Sequence, residues 1–472
     1  MVKRLNGVDA LMLSMETSKA YMHTFKVAII DPSTDPDGWS FDKFRTEADR
    51  RLHLIPVLRW KFLSSPLGLN HPYWVEDPDF QLDYHIRRVA CPPPGDHKAL
   101  CAFMADVYAY QLDRSRPLWM MWLVEGLADG KVACVMLVHH AYVDGVGASW
   151  LMQRFYAPEP GIKSEDPPPY NPPPLPSRLA RLGRALRDFP EVTFGNIPKV
   201  ATGMWHKTQL DRRRKASGLP THPAAGQMKQ TPLNITLSAG RTFVCESLPL
   251  EKFITISKKL NVTINDVFSS CVAGALRRLL IDMDYPPDDH PLIAATPFAG
   301  QRPEGREGWG NYATQDFCWL HSDIADPIAR LQASHKANTE MKEHLNQIRD
   351  AGADLGAVMQ IIPPWGMKLI RNAIHRRGGS FGLFGNLVLS NVPGPKTALY
   401  LDNWKVDNWF STGQLADGTA LNITMWSYCG KANICMLMDR KVLDDGWRLY
   451  GYFVDELEAL LALADSTAAV TR

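Results

Sequence analysis

Apolar residues along this chain recur with period two in some blocks and at three-and-four spacing in others, which separates strands from helices. Leu118 to Leu127 reads as a strand, Ala128-Asp129-Gly130 as a tight turn, and Val132 to Val138 as a second strand. Asp-Gly between two apolar runs is a strong hairpin signal. The second run has no polar alternation, so both of its faces are expected to be covered. Lys98 to Leu112 carries Leu100, Phe103, Val107 and Tyr108 at the spacing of a helix buried on one side, and Gly147 to Ala157 is a further helical segment. A second half opens near Arg241. There Asn261 to Asp266 leads into a helix over Val267 to Leu280, which Thr263 or Asn265 can cap and whose C-terminal end Arg277 and Arg278 suit. Asn386 to Val392 reads as a strand broken by Pro393-Gly394-Pro395, and Leu421 to Tyr428 as an alternating strand.

Between the halves the pattern stops. Pro158 to Pro176 contains Pro167-Pro168-Pro169 and Pro172-Pro173-Pro174, which forbid helix and favour extended backbone. The expected division is an N-terminal domain over 1–157, a Pro-rich and basic linker over 158–240, and a C-terminal domain over 241–472. A chain of 472 residues exceeds one ordinary core, which also calls for two domains. Within the linker, Arg178, Arg181, Arg184 and Arg187 recur every third residue with Leu179, Leu182 and Leu186 between them, and Arg212-Arg213-Arg214-Lys215 lies further along. Wound as a helix, the first run has a basic face. It is either a solvated cover over the domain junction or a surface anchor on anionic lipid.

Composition narrows the classes. Hydrophobic residues make up 45% and charged residues 22%, values of a globular protein, and a net charge of +2 gives no reason to expect nucleic acid. No run approaches the roughly eighteen apolar residues of a membrane span. Asp9 and Glu16 interrupt the stretch after Lys3 and Arg4, so no signal peptide is expected. The eight cysteines show no C-x-x-C pairing and read as reduced thiols of a cytoplasmic, non-secreted protein.

The candidate chemistry lies at the end of the Val132 run, in His139-His140-Ala141-Tyr142-Val143-Asp144-Gly145. An imidazole at the terminus of a buried strand is well placed to take a proton from a hydroxyl. Adjacent side chains on extended backbone point opposite ways, so one histidine faces the reactive space while the other packs. Asp144 orients the ring or braces the loop, and Gly145 is expected to permit a turn that a side chain would obstruct.

These residues, together with blocks spread over nearly the whole chain, resemble the bacterial wax ester synthase/diacylglycerol acyltransferases. The resemblance includes Val8-Asp9-Ala10 and Met22-His23, Arg116-Pro117-Leu118-Trp119, Asn265-Asp266, Ser390-Asn391-Val392-Pro393-Gly394-Pro395, and Leu421-Asn422-Ile423-Thr424 through Ser427-Tyr428, in the family's order. Two places depart from the pattern: Thr296 to Arg302, where a proline-valine-serine segment is usual, and Cys429-Gly430, where an aromatic-glycine ending is usual. The resemblance implies an α/β, two-domain, chloramphenicol-acetyltransferase-like fold with an active-site tunnel at the domain interface. It implies acyl-CoA as donor and co-substrate with no cofactor, and diacylglycerol or a long-chain alcohol as acceptor. It makes His140 the general base, leaves His139 to packing, and gives Asp144 a loop-bracing role with Arg302 as candidate partner. Asn391 and Thr424, on element ends, are the candidate oxyanion donors. The expected location is cytoplasmic, with peripheral contact to the inner membrane face or lipid droplets.

Rival readings start from other features. Gly378-Gly379-Ser380-Phe381-Gly382 fits a serine-hydrolase pattern, but a helix-like stretch precedes it and a strand-like run comes after it, the reverse of that motif's context. A metal on His139, His140 and Asp144 would need both rings on one side of a strand, so none is expected. A non-catalytic lipid binder, or an acyltransferase using a carrier-protein thioester, would share the fold.

Overall fold

Every residue of Val132–His139 is buried in a strand, the placement an unbroken apolar run requires. The computed structural model describes residues 2–216, 223, 227–300, 302, 304, 308–350, 355–376 and 385–470; the Gly378–Gly382 motif lies outside them. The strands of the first half are β1 (Val2–Arg4), β2 (His23–Asp31), β3 (Trp60–Leu63), β4 (Tyr73–Glu76), β5 (Ile86–Ala90), β6 (Trp119–Glu125) and β7 (Val132–His139). Those of the second are β8 (Arg241–Pro249), β9 (Leu292–Phe298), β10 (Thr314–Leu320), β11 (Leu387–Val392), β12 (Leu399–Leu401), β13 (Trp404–Thr412), β14 (Leu421–Tyr428) and β15 (Lys431–Asp439).

Two six-stranded sheets form the α/β body, ordered β12-β13-β2-β7-β6-β5 and β10-β9-β11-β14-β15-β8, beside a three-stranded sheet, β1-β4-β3. The β6–β7 hairpin turns through Gly130 at φ 72°, as Asp-Gly predicts. One crossing was not legible. β13 pairs antiparallel with β2, Thr412 opposite Phe25, so residues 399–412, counted by sequence with 241–472, belong to the first sheet. A period of two marks a strand but not its partner.

Packing reflects the topology. One apolar core runs through the first sheet and on to Phe243, Cys245, Trp426 and Leu437 of the second, joining the halves. A second core lies on the other face of the second sheet, where Ile423, Met425, Ile434 and Met436 meet the helices Ile264–Asp282 and Gly446–Val470. Thr263 caps the first of these helices in a box with Asp266. Cys429 and Gly430, both at positive φ, close the β14–β15 hairpin.

The proline segment lies along the first half instead of hanging free: Tyr170 donates to the Asp77 carbonyl at 2.9 Å, and Arg51 to that of Ile162 at 3.1 Å. The basic run does form a helix, Arg178–Pro190. At about 3.6 residues per turn, each step of three falls roughly 60° behind, so the four arginines spread over about half of the circumference, with Leu179, Leu182 and Leu186 on the other half. Arg178, Arg184 and Arg187 are exposed, whereas Arg181 is half-buried and donates to the Ser64 carbonyl. Leu179 and Leu186 are exposed beside them.

Candidate active site

β7 ends at His139, and the next residues turn back on themselves. The His140 N–H donates to the Met22 carbonyl at 2.8 Å, and the Tyr142 N–H to that of His139 at 3.0 Å. The Pro117-Leu118-Trp119 block anchors this turn: the Leu118 carbonyl accepts from the His139 N–H, and its N–H donates to the buried Tyr142 hydroxyl at 2.9 Å.

The two histidines have different surroundings. His139 is fully buried, edge-on to its register partner His23 with ring centroids 6.0 Å apart, and its Nδ1 accepts from the Ala141 N–H at 3.1 Å. Burial, then the charges of His23 and Arg114, push its pKa well down, so it stays neutral. His140 is half-buried. Its Nδ1 lies 2.8 Å from the Val143 carbonyl. A carbonyl only accepts, so Nδ1 carries the proton and Nε2 holds the lone pair. Among the described residues Nε2 has no hydrogen-bond partner. Burial first, then the Lys26 ammonium, hold the ring below its ordinary pKa. A neutral imidazole with a fixed tautomer and a free lone pair is the equipment of a general base.

Asp144 is the N-cap of the helix Gly145–Phe155 and accepts the Gly147 N–H at 2.9 Å. The same oxygen takes the Arg302 guanidinium, and the other accepts the Tyr312 N–H at 2.9 Å. Its carboxylate thus ties the His140 loop to the second half. Gly145 departs from expectation. It is the first helical residue, its φ is not positive, and an added Cβ would meet only Val392, at an ordinary 3.8 Å. The extended Asp144, at φ −94° and ψ −165°, makes the turn, so no left-handed residue is needed.

The oxyanion candidates separate. Parallel register pairs Ser390 with Thr424 and Asn391 with Met425, so Asn391 and Thr424 project from opposite faces of the second sheet. Both cannot serve one oxygen. Asn391 reaches Asn265 at 3.4 Å, while the Thr424 hydroxyl donates to Asn422, which also takes Thr412. Gly394, just past β11, is needed for close approach, since a Cβ there would lie 2.2 Å from the Ser427 carbonyl oxygen. Asn265-Asp266 has a structural task as well: Asp266 accepts from Asn338 and His335 and closes the helix cap.

Some residues at the site escaped the sequence reading. Asn311 donates to the His140 carbonyl at 3.2 Å, and its own N–H is held by the Asp9 carboxylate at 2.6 Å. Asp9 lies in the family-like block Val8-Asp9-Ala10, but nothing near Asn311 signals its place. Lys26, the one basic residue inside the apolar β2 run, faces the same space. The rings of His139 and His140 and the Asp144 carboxylate are committed to different partners and do not converge on an ion. A different group does converge: Cys245 Sγ lies 3.7 Å from both Cys101 Sγ and His97 Nε2, between the helix His97–Tyr108 and β8.

Residues 5–268 match the wax ester synthase/diacylglycerol acyltransferase catalytic domain, and residues 309–461 match the WS/DGAT C-terminal domain. A Mycobacterium tuberculosis protein named as a diacylglycerol O-acyltransferase is 46% identical over 469 residues, covering 99% of this chain and 98% of its own. The O-acyltransferase WSD of Acinetobacter baylyi is 28% identical, covering 97% and 96% respectively. The solved wax ester synthase/diacylglycerol acyltransferase from Marinobacter aquaeolei VT8 has the same fold, with a TM-score of 0.68 over 98% of this chain and 100% of that one at 24% identity.

Proposed function

Because the chain belongs to the wax ester synthase/diacylglycerol acyltransferase family, whose members are acyl-CoA-dependent O-acyltransferases, we propose that it moves a long-chain acyl group to the hydroxyl of diacylglycerol or a long-chain alcohol, with His140 as base. The observation that carries this reading is the His140 ring, its Nδ1 proton held by the Val143 carbonyl and its Nε2 lone pair unused. An alcohol oxygen about 3 Å from Nε2 gives up its proton as it attacks the thioester carbon. The C–O bond forms, the C–S bond breaks, and the proton passes from His140 to the departing thiolate of CoA. Release of CoA from one acyl-CoA, measured against diolein, hexadecanol and no acceptor, tests the reaction; thioester hydrolysis indifferent to acceptor would refute it.

The pH profile is set by the ring's surroundings. The base works neutral, so rate is lost as pH falls through the His140 pKa, which burial and Lys26 place below the ordinary value. The acid limb of kcat/KM should therefore lie below about pH 6.5. A limb above that value would contradict the assignment of His140.

Such apolar acceptors sit in lipid, and no helix among the described residues is long and apolar enough to cross a membrane. In this reading the helix Arg178–Pro190 meets an anionic lipid surface through Arg178, Arg184 and Arg187, with Leu179 and Leu186 entering it. Each basic residue near such a surface contributes about 1 kcal/mol. Replacing the three arginines with glutamine should weaken binding to anionic vesicles roughly a hundredfold, counting about 1.4 kcal/mol per tenfold, and leave activity on a soluble short alcohol in place. Unchanged vesicle binding would make the helix a solvated cover.

A further inference from the structure

A charge in the middle of a buried strand demands a reason. Lys26 is 5% exposed, in a strand otherwise built of His23, Thr24, Phe25, Val27 to Ile30 and, at its end, Asp31. Its ammonium donates to the Thr24 hydroxyl at 2.9 Å and the Ser411 hydroxyl at 2.7 Å, and forms no ion pair among the described residues. The nearby carboxylate, Asp144, is already bonded to Arg302. Buried charges are ordinarily paired, and this one is not. An ammonium has three N–H donors, and two are used. The Ser411 hydroxyl accepts from Lys26 and donates to nothing among the described residues. Trp409, two residues along β13 on the same face, is 2% exposed and its indole Nε1 is buried without a partner. Three unused donors thus lie on one face of the first sheet. In their present company, burial pushes the Lys26 pKa down to about 7.

Register sets their distance from the base. Lys26 pairs with Met136 on one side and Ser411 on the other, and Met136 lies three residues before His139, where β7 ends and the turn carrying His140 begins. At roughly 3.3 Å per residue that is about 10 Å of strand up to the turn. The lysine side chain reaches part of the way back, to Thr24, but Ser411 and Trp409 do not. An oxyanion forms on the carbon under attack, within bonding reach of the alcohol that His140 holds, so it lies too near His140 for this cradle. The donors suit a group at the far end of a substrate, and two oxygens of one charge fit them better than an alkyl chain, which would leave a buried ammonium facing methylenes.

We propose that Lys26, Ser411 and Trp409 form a cradle for a carboxylate, so that hydroxy acids, with hydroxyl and acid group separated by a medium alkyl run, are acceptors of this enzyme. The proposal rests on His140 as the base and extends the acceptors beyond neutral lipids. The hydroxyl of the acid gives its proton to His140 and becomes the new ester, while the carboxylate stays bonded to Lys26.

The test compares ω-hydroxydecanoate, its methyl ester and decanol, which differ in the acid group and little in length. Calorimetric binding to the wild-type chain should favour the acid over its ester by about tenfold or more, the scale of a charge-assisted hydrogen bond. In Lys26→Met the preference should collapse toward unity, in Lys26→Arg it should persist in part, and in Ser411→Ala it should shrink. The ratio of kcat/KM for acid over ester should track the binding. Equal binding of acid and ester by the wild type, or a preference that survives Lys26→Met, would overturn the cradle. Ser411→Ala reads the same ratio should Lys26→Met fail to fold. His140→Ala separates the two readings: it should bind the acid as the wild type does while turnover of both compounds falls by about two to four orders of magnitude. Undiminished turnover by that variant would refute the base and leave the binding result standing.

Discussion

His140→Ala should lower acyl transfer by about two to four orders of magnitude while the chain keeps its fold. The ring is half-buried, its Nε2 has no protein partner among the described residues, and its Nδ1 bond to the Val143 carbonyl closes only a local turn. Removing it deletes the base and little packing. His139→Ala should do the reverse. That ring is enclosed beside His23, and its Nδ1 holds the Ala141 N–H, so its loss leaves a cavity and an unpaired donor under the loop. Truncations of this kind cost about 2–5 kcal/mol. Kinetics with one acyl-CoA and melting by circular dichroism, measured on both variants, check the division of roles. Equal rate losses with unchanged melting in both would show that the two rings share the chemistry.

The parts of this site legible in the sequence are those where a local pattern has a single physical reading. An unbroken apolar run must be covered on both faces, so the buried strand before the histidine pair could be read directly. The helix after Asp144 was visible as well, though it starts two residues earlier than the pattern suggests because Asp144 itself is the cap. The features that stayed hidden depend on partners distant in the chain. β13 carries no mark that it pairs with β2, and Asn311 reaches His140 only because Asp9 holds its backbone. The opposite faces of Asn391 and Thr424 come from a register that sequence does not contain. Lys26 escaped the sequence reading, because the meaning of a charge in an apolar run needs the hydroxyl of Ser411 brought beside it by the returning strand.

Asp144→Asn should both destabilise the chain and slow it. Asparagine still caps a helix, so the bond to the Gly147 N–H survives the change, while the acceptor of the Tyr312 N–H is lost together with the charge. The change removes the counter-ion of Arg302, a side chain only 12% exposed, paired with a carboxylate at 3%. Breaking a buried pair on one side costs about 3–5 kcal/mol, because the remaining charge loses the carboxylate that offset its burial. Each kcal/mol lowers Tm by roughly 2–4 °C in domains of ordinary size. Arg302→Met should melt low as well, while the double variant should melt higher than the two losses added together, since no orphaned charge remains. Rate should fall with stability, because Asp144 holds the segment whose Val143 carbonyl fixes the His140 tautomer, and its second oxygen holds Tyr312 next to Asn311. Strictly additive losses in the double variant would remove the ion pair as the brace. A slowed Asp144→Asn with wild-type melting would place its action on the imidazole itself.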